Sequence, residues 1–456
     1  MEENNIKNII SAQRKYFDSG DTRNIDYRIK NLEKLKTLIL ENEDLIYQAL
    51  KKDLGRDSFD SFTAEVSFMI NDLDYIKKRL KKWAMPKKVS TNLLNQIGKS
   101  YIYNDSYGCV LIIGPWNYPF QLTINPLIGA IAAGNCAIIK PSELSPSCSK
   151  VITDIINNNF SNNYLHVIEG DADTSKKLLL QKWDFIFFTG STLVGKKVME
   201  AAAKNLTPLA LELGGKNPCI VDDTTDIDLS AKRITWGKFF NLGQTCIAPD
   251  YILVKESVKD KLVKSLIDKI KDFYNSNNYG KIININHFDR LKGSLESSKI
   301  IYGGKTNEKD LYISPTLLED VPKKSVLYND EIFGPLLPIF SYKENTEVIS
   351  FIKNKNKPLV IYIFSKNTKF CDSIIENTSS GSISINDTLM FITNHKLPFG
   401  GIESSGIGSY HGKFSFDCFS HKKSITKKGF FPEISVRYPP YNKTLSQYKK
   451  LLQFFK

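Results

Sequence analysis

No stretch of the chain reaches about 18 consecutive apolar residues, which leaves no candidate for a membrane-spanning helix. The N-terminal MEENNIKNIISAQRKYF lacks the uninterrupted apolar core of a signal peptide, so a cytoplasmic protein is expected. CxxC pairs and Cys/His clusters are absent. The seven cysteines (Cys109, Cys136, Cys148, Cys219, Cys246, Cys371 and Cys418) are scattered, which argues against a disulfide framework and against a metal site. No internal repeat of fixed period occurs, and with 41% hydrophobic and 24% charged residues neither wholesale disorder nor a low-complexity architecture is expected. Acidic balance is lacking in two places. Residues 77–88 hold seven Lys/Arg and no acid, and 421–456 hold nine basic residues against Glu433 alone, which together account for the net charge of +13. The charge is local, so nucleic acid is not expected to coat the protein, while one or two basic patches are.

The 456 residues are long enough for two or three domains. Leu32, Leu35 and Ile39, then Phe62, Val66, Met69, Ile70, Leu73, Ile76, Leu80 and Trp83, recur at three- and four-residue spacing and predict helices facing a core. From about residue 107 short β-rich runs take over: 108–114, 136–140, 165–170, 185–190 and 208–215, separated by helix-length stretches. This alternation predicts a doubly wound parallel sheet with ligands at its carboxyl edge, near Gly114, Lys140, Gly170 and Gly190. A second α/β set follows, with strands at 251–254, 336–340, 359–364 and 382–386 and a helix at 257–274. Gly214-Gly215 supplies a crossing point between the sets, where a cleft is expected. The polar stretches NSNN (275–278) and NKNK (354–357) read as solvated loops.

Several short motifs can carry chemistry. GQTC at 243–246 sets Cys246 in a small-residue turn whose amides suit a thiolate or an oxyanion; taken alone, a buried structural thiol explains it as well. LELGGK at 211–216 puts Glu212 at the end of an apolar strand, either as a solvated strand end or as a desolvated general base. GPWNYPF at 114–120 fixes Asn117 between prolines, as an Asx-type turn or as an oxyanion donor. KPSE at 140–143 offers Lys140 and Glu143 to ribose hydroxyls, or simply starts a helix. FTGSTLVG at 188–195 is not the G-x-G-x-x-G fingerprint, yet its Gly190, Ser191 and Gly195 place helix amides where a phosphate can meet them. EIFGPLLP at 331–338, with Glu331 and Phe333, and the glycine-rich 398–408 each have a turn-only explanation.

Together these motifs resemble the aldehyde dehydrogenases, specifically the short class 3 type acting on fatty and aromatic aldehydes. The resemblance runs in order through PWNYPF, AAGNCAIIKPSE, FFTGST, LELGGK, GQTCIAPDY, IFGP, LPFGG, SYHGKFSFDCFSHKKS and RYPP. It implies an α/β fold with three parts. These are a Rossmann-like NAD(P)-binding domain (1–80 and 103–212), a catalytic domain (213–400), and an oligomerisation arm with a C-terminal tail (81–102 and 401–456). It further implies that Cys246 attacks the aldehyde, that Asn117 and the Cys246 amide hold the oxyanion, and that Glu212 activates the hydrolytic water. Lys140 and Glu143 would bind the adenine-side ribose, Gly190, Ser191 and Gly195 the pyrophosphate, and Glu331 and Phe333 the nicotinamide half. A carboxylate at Glu143 favours NAD by repelling a 2′-phosphate, with NADP left open. A homodimer is implied as well.

Two features depart from the family pattern. Leu193 stands where relatives often carry a small residue, and the chain stops near Lys456 without the hydrophobic anchor of membrane-bound class 3 members. The tail LSQYKKLLQFFK spaces Leu445, Tyr448, Leu451, Leu452 and Phe455 as a short amphipathic helix, which either packs on the subunit or touches an anionic membrane weakly. Competing readings are a coenzyme A-acylating relative, disfavoured by Glu212, and a catalytically silent binding protein using the basic patches, disfavoured by the intact Cys246, Glu212 and Asn117. Tyr118, Trp236 and Phe391 are expected either near an access tunnel or in the core.

Overall fold

A computed structural model of the protein describes residues 3–92, 95, 98–274, 279–296, 298–431, 433, 438–441 and 444–454. The NSNN stretch at 275–278 lies outside the described residues. The N-terminal helices Glu3–Ser19, Ile25–Glu41, Glu43–Leu54 and Ser67–Lys77 follow the apolar spacing, with Leu32, Leu35, Ile39, Val66, Met69, Leu73, Ile76 and Leu80 buried. Phe62 falls off that stripe and is 44% exposed. A π turn over Phe62–Val66 takes an extra residue per turn there, which shifts the phase of everything before it.

The expected β-rich runs form a six-stranded sheet in the order Gly406–Ile407, Leu209–Glu212, Phe185–Thr189, Cys109–Ile113, Cys136–Lys140, Leu165–Val167. All pairings are parallel except the first, where the short Gly406–Ile407 strand runs antiparallel to Leu209–Glu212. The strand order reverses at Cys109–Ile113, between Phe185–Thr189 and Cys136–Lys140, so the loops that open there define a ligand crevice. Register keeps the carboxyl ends level, with Ile113 opposite both Lys140 and Phe188, and Thr189 opposite Glu212.

The second set builds a seven-stranded sheet in the order Lys299–Tyr302, Thr316–Glu319, Leu336–Tyr342, Tyr251–Lys255, Pro218–Val221, Val360–Phe364, Ser382–Ile385. Three of these strands, Pro218–Val221, Thr316–Glu319 and Lys299–Tyr302, were not expected. Each is four residues long, too short to show a period, and two lie at one edge of the sheet. Residues 213–217 cross from one sheet to the other, and helix Ile227–Phe239 leads into the GQTC turn.

A third, antiparallel sheet has Lys99–Ser106 at its centre, with Lys87–Val89 and Ser420–Lys427, one from each basic segment, on its two edges. A tail helix spans Leu445–Phe454, with Leu445 exposed; Phe455 and the side chains of Leu451 and Leu452 lie outside the described residues. Among the described residues no helix is long and apolar enough to cross a membrane.

Candidate active site

The GQTC turn is built from unusual backbone. Asn241, Leu242 and Gly243 take φ of 52°, 54° and 69° in succession, all left-handed, and a Cβ at Gly243 would lie 2.4 Å from the Gly334 carbonyl. Asn and Gly tolerate this region, whereas Leu242 is strained there. The strain is held by bonds from behind. Asn217 Nδ2 donates to the Cys246 carbonyl at 2.7 Å and to the Ala248 carbonyl at 3.1 Å, and the Tyr362 hydroxyl donates to the Ile247 carbonyl at 2.6 Å. With its carbonyls fixed at the back, the turn presents Cys246 and its amides to the cleft.

Asn117, on the loop after Cys109–Ile113, is buried, and its Nδ2 donates to the Gln244 carbonyl at 3.1 Å. One amide hydrogen is thereby fixed and the second remains for another acceptor. Three residues outside the motifs, Arg56, Glu65 and Asn241, hold this arrangement together with Gln244 of GQTC. Arg56 and Glu65 form a buried ion pair at 2.6 Å. Arg56 also donates to the Asn117 carbonyl at 2.7 Å and to Asn241 Oδ1 at 2.8 Å, while Glu65 accepts from the Phe120 and Gln121 amides at 2.8 and 3.0 Å. Asn241 Nδ2 donates to the Asn117 and Gln244 carbonyls, and Gln244 accepts from the Ile283 amide. Two loops 124 residues apart in sequence thus share one polar network. Glu65 sits in the π turn, which hid it among helix positions.

Glu212 ends its strand as expected and is buried, with no hydrogen-bond partner at either carboxyl oxygen among the described residues. Burial holds its pKa well above the ordinary carboxylate value. Burial also pushes the Cys246 thiol up, helped by the carboxyls of Glu331 and Glu212, while the Cys246 and Ile247 amides favour the thiolate. Glu331 is raised to about 8, by burial first and by Asp250 second, against the Gly215 amide, which donates to it at 3.1 Å. Burial thus favours the protonated, uncharged form of all three groups in the resting site.

The Glu331–Phe333 turn is clamped from several sides. Lys216 bridges Asp250 and the Asp330 carbonyl, and Asp250 accepts from the Ile332 amide at 2.9 Å. His287 Nε2–H donates to the Phe333 carbonyl at 2.7 Å and Nδ1 faces Arg290, which reaches the Ile332 carbonyl. Burial and Arg290 lower His287 to about 4, so it is neutral in this role. Phe333 takes a left-handed φ of 51° and its ring meets the edge of Trp116. Lys216 and Asp250 lie inside LELGGK and GQTCIAPDY, motifs read for other letters. His287 and Arg290 carried no legible signal beyond their i, i+3 spacing on one helix.

The remaining candidates cluster along the carboxyl edge of the six-stranded sheet. Lys140 is buried and pairs with the half-exposed Glu143. Pro141–Ser145 intervene before the next helix, which starts at Pro146, so KPSE itself opens no helix. Gly190 donates its amide to the Glu212 carbonyl at 3.0 Å, Ser191 caps helix Thr192–Ala203, and Gly195 lies against Leu213, whose side chain a Cβ would meet at 2.7 Å. A Cβ on Gly214 would collide with Glu331 Oε2. Leu193 is exposed and does not fill the helix mouth.

Two cavities meet at Cys246. One, of about 200 Å³, is lined by Asn117, Gly190, Ser191, Glu212, Glu331 and Phe333 among others; Lys140 and Glu143 lie outside its lining. The other, of about 360 Å³, is walled largely by apolar side chains such as Phe59, Phe68, Trp236, Phe240, Leu389 and Ile392. Tyr118 and Trp236 line the second cavity as expected, and Tyr118 also bonds Thr245 at 2.7 Å. Phe391 does not line it; its partly buried ring stacks on Phe399 against the core.

A doubly wound sheet facing a second α/β lobe, with a thiol where an apolar cavity meets one holding two carboxyls, is the arrangement of a dinucleotide-dependent enzyme that works through a cysteine. The aldehyde dehydrogenase family profile matches residues 1–425. The chain is 46% identical over 448 residues to the 4,4'-diaponeurosporen-aldehyde dehydrogenase of Staphylococcus aureus, covering 97% of each chain. It is 44% identical to the "Aldehyde dehydrogenase, dimeric NADP-preferring" of Rattus norvegicus, covering 95% and 98%. The solved substrate-bound structure of Staphylococcus aureus AldH superposes with a TM-score of 0.96 at 45% identity, covering 99% of both chains. The chain belongs to the aldehyde dehydrogenase family, an NAD(P)-dependent oxidoreductase acting on aldehydes.

Proposed function

We propose that the protein oxidises a medium- to long-chain aliphatic or an aromatic aldehyde to the carboxylic acid through a covalent bond to Cys246. The observation that carries this reading is that Cys246 is the thiol common to both cavities, with Glu212 and Glu331 on one side and apolar walls on the other. Once deprotonated, the Cys246 sulfur adds to the aldehyde carbon and the carbonyl electrons move to oxygen, giving a thiohemiacetal. The free hydrogen on Asn117 Nδ2 and the Cys246 amide donate to that oxygen. When bound, NAD(P), its nicotinamide half held by Glu331 and Phe333, would supply the acceptor for the hydride that the thiohemiacetal carbon loses as it becomes the thioester carbon on Cys246. Ionised Glu212 then takes a proton from water, the hydroxide oxygen bonds to the acyl carbon, and the carbon–sulfur bond breaks to release the acid. A buried carboxylate with no hydrogen-bond partner is a strong base once ionised, which suits this step.

The site fits a dinucleotide. Gly190 and Ser191 lead into the N-terminus of helix Thr192–Ala203, where Gly195 lets the first turn pack closely on Leu213, and these would receive the pyrophosphate. Lys140 and Glu143 would hold the adenine-side ribose, and Glu331 with Phe333 the nicotinamide half. The carboxylate of Glu143 favours NAD, but its pairing with Lys140 softens the repulsion of a 2′-phosphate, so NADP remains usable. On this reading residues 1–80 and 103–212 form the cofactor unit, 213–400 the catalytic unit, and 81–102 with 401–456 the arm and tail, except that Tyr103–Ser106 continues the arm strand Lys99–Ser106 and Gly406–Ile407 joins the cofactor sheet. A cytoplasmic homodimer is the proposed form, supported by the exposed arm strands. Weak contact of the basic tail helix with anionic membranes is tested by salt-dependent vesicle binding.

The decisive assay follows reduced nicotinamide absorbance with hexanal or benzaldehyde and NAD or NADP, for wild type and Cys246→Ala. Turnover in the wild type that vanishes in the variant is expected; turnover that survives would refute the thiol mechanism. Turnover only after coenzyme A is added would replace hydrolysis by acyl transfer to coenzyme A.

A further inference from the structure

The apolar cavity carries a charge that the oxidation does not use. Asp60, in the short helix Ser58–Ser61 ahead of the π turn, lines the cavity beside Phe59 and Thr63. The mouth lies there, since Phe59, Thr63, Met390 and Thr393 are exposed while Cys246, Phe399 and Tyr410 sit further in. Asp60 is half-buried and has no ion-pair partner among the described residues. Among the cavity's lining residues no lysine or arginine occurs, and the lining His411 is lowered to about 4 by burial, so it is neutral. Arg56, the nearby cation, is committed to Glu65 and lies behind the Tyr118 ring, 4.7 Å from its centroid. The lining of the passage to the thiol is therefore apolar and aromatic with one carboxyl, Asp60, and the nearby Asp57 adds negative charge outside that lining.

We propose that Asp60 makes this passage selective by charge: it excludes aldehydes with a second, anionic end group and admits neutral ones and those ending in a cation. An anionic terminus entering an apolar cavity sheds water with no counter-ion to receive it, and the Asp60 carboxylate adds like-charge repulsion. A quaternary ammonium terminus meets the carboxylate together with aromatic faces from Phe59, Phe68 and Trp236. Asp60 thus acts as a specificity residue and leaves the chemistry at Cys246 unchanged. This inference rests on the reading of the apolar cavity as the aldehyde passage.

The test measures kcat/KM at about pH 8 and low ionic strength for hexanal, adipic semialdehyde and trimethylaminobutyraldehyde, with wild type, Asp60→Asn and Asp60→Ser. The expected result is a rise of about tenfold in the adipic semialdehyde to hexanal ratio in both variants, shrinking at high salt. The trimethylaminobutyraldehyde to hexanal ratio should fall several-fold, with hexanal itself unchanged within about twofold. Unchanged ratios, or all three substrates moving together, would overturn the role of Asp60. If the wild type does not oxidise hexanal at all, the passage reading fails and this inference with it. Hexanal turnover with unmoved ratios removes only the charge filter.

Discussion

Replacing Arg56 by Met tests whether the buried Arg56–Glu65 pair is what aligns the two catalytic loops. The substitution keeps an unbranched apolar stem and removes the guanidinium. It leaves Glu65, which has no exposed surface, without its cation, and removes donors from the Asn117 carbonyl and Asn241 Oδ1. Removing one partner of a buried pair costs about 3–5 kcal/mol. Glu65 keeps the Phe120 and Gln121 amides, which puts the expectation at the lower end. With unfolding entropy near 2.1 cal/mol/K per residue over 456 residues, that loss lowers the thermal midpoint by about 3 °C. Asn117 retains only its bond from Asn241 on that side, and a shift of the amide by about 1 Å would cost on the order of 10²-fold in kcat with little change in KM. Pairing Arg56→Met with Glu65→Gln removes the stranded charge while keeping an acceptor for the two amides, so the double variant should recover at least about 1 kcal/mol of the sum. Differential scanning fluorimetry on the four proteins of the cycle, with steady-state kinetics on each, gives the answer. Additive losses in the double variant, or a single variant within about 1 °C and twofold in kcat of wild type, would refute the argument.

Glu212→Gln should still form the thioester but not hydrolyse it, so mixing with NAD and aldehyde should give a burst near one reduced nicotinamide per site followed by a steady rate down by about 10²-fold or more; wild-type steady turnover would remove Glu212 as the base. Glu143→Gln should raise the NADP to NAD ratio of kcat/KM about tenfold through loss of charge repulsion, checked by varying each cofactor at fixed aldehyde. For Glu331 the sign follows from proton counting. The unfolded chain releases this proton near the ordinary value of 4.5 and the folded protein near about 8, so between those values the folded state holds more protons and loses stability as pH rises. Glu331→Gln removes that loss, so its thermal midpoint relative to wild type should climb between about pH 5 and pH 8; a flat difference would contradict the protonated resting carboxyl.

The parallel strands of the first sheet were legible because they are buried on both faces and read as continuous apolar runs: CVLII, CAIIK and FIFFT carry all their residues inside. The loops after them were legible from glycine and proline, since few other residues permit those turns. Cys246, Glu212, Asn117, Gly190, Ser191, Glu331 and Phe333 each had a plainer local reading and were singled out by the collinear resemblance of their motifs to the family, and the structure gathers them around one cavity. What local letters do not encode is a contact between distant segments. Arg56, Glu65, His287 and Arg290 look like ordinary polar helix residues, and only packing shows that they hold loops far away in the chain. Phe62 fell off its predicted stripe for a related reason, because a single π turn changes phase without a compositional mark.

The amino-acid order by itself predicted the α/β alternation and most of the turns, because those depend on side-chain period and backbone freedom within a few positions; roles for individual residues followed only from the resemblance to the family, since each motif alone had a plainer reading. The tertiary structure alone decided the burial that raises Glu212, Cys246 and Glu331, the meeting of two cavities at Cys246, and the placing of the Asp60 carboxyl at the mouth of the apolar one. Desolvation and electrostatic fields are summed over neighbours from every part of the chain, and those neighbours are assembled only by folding.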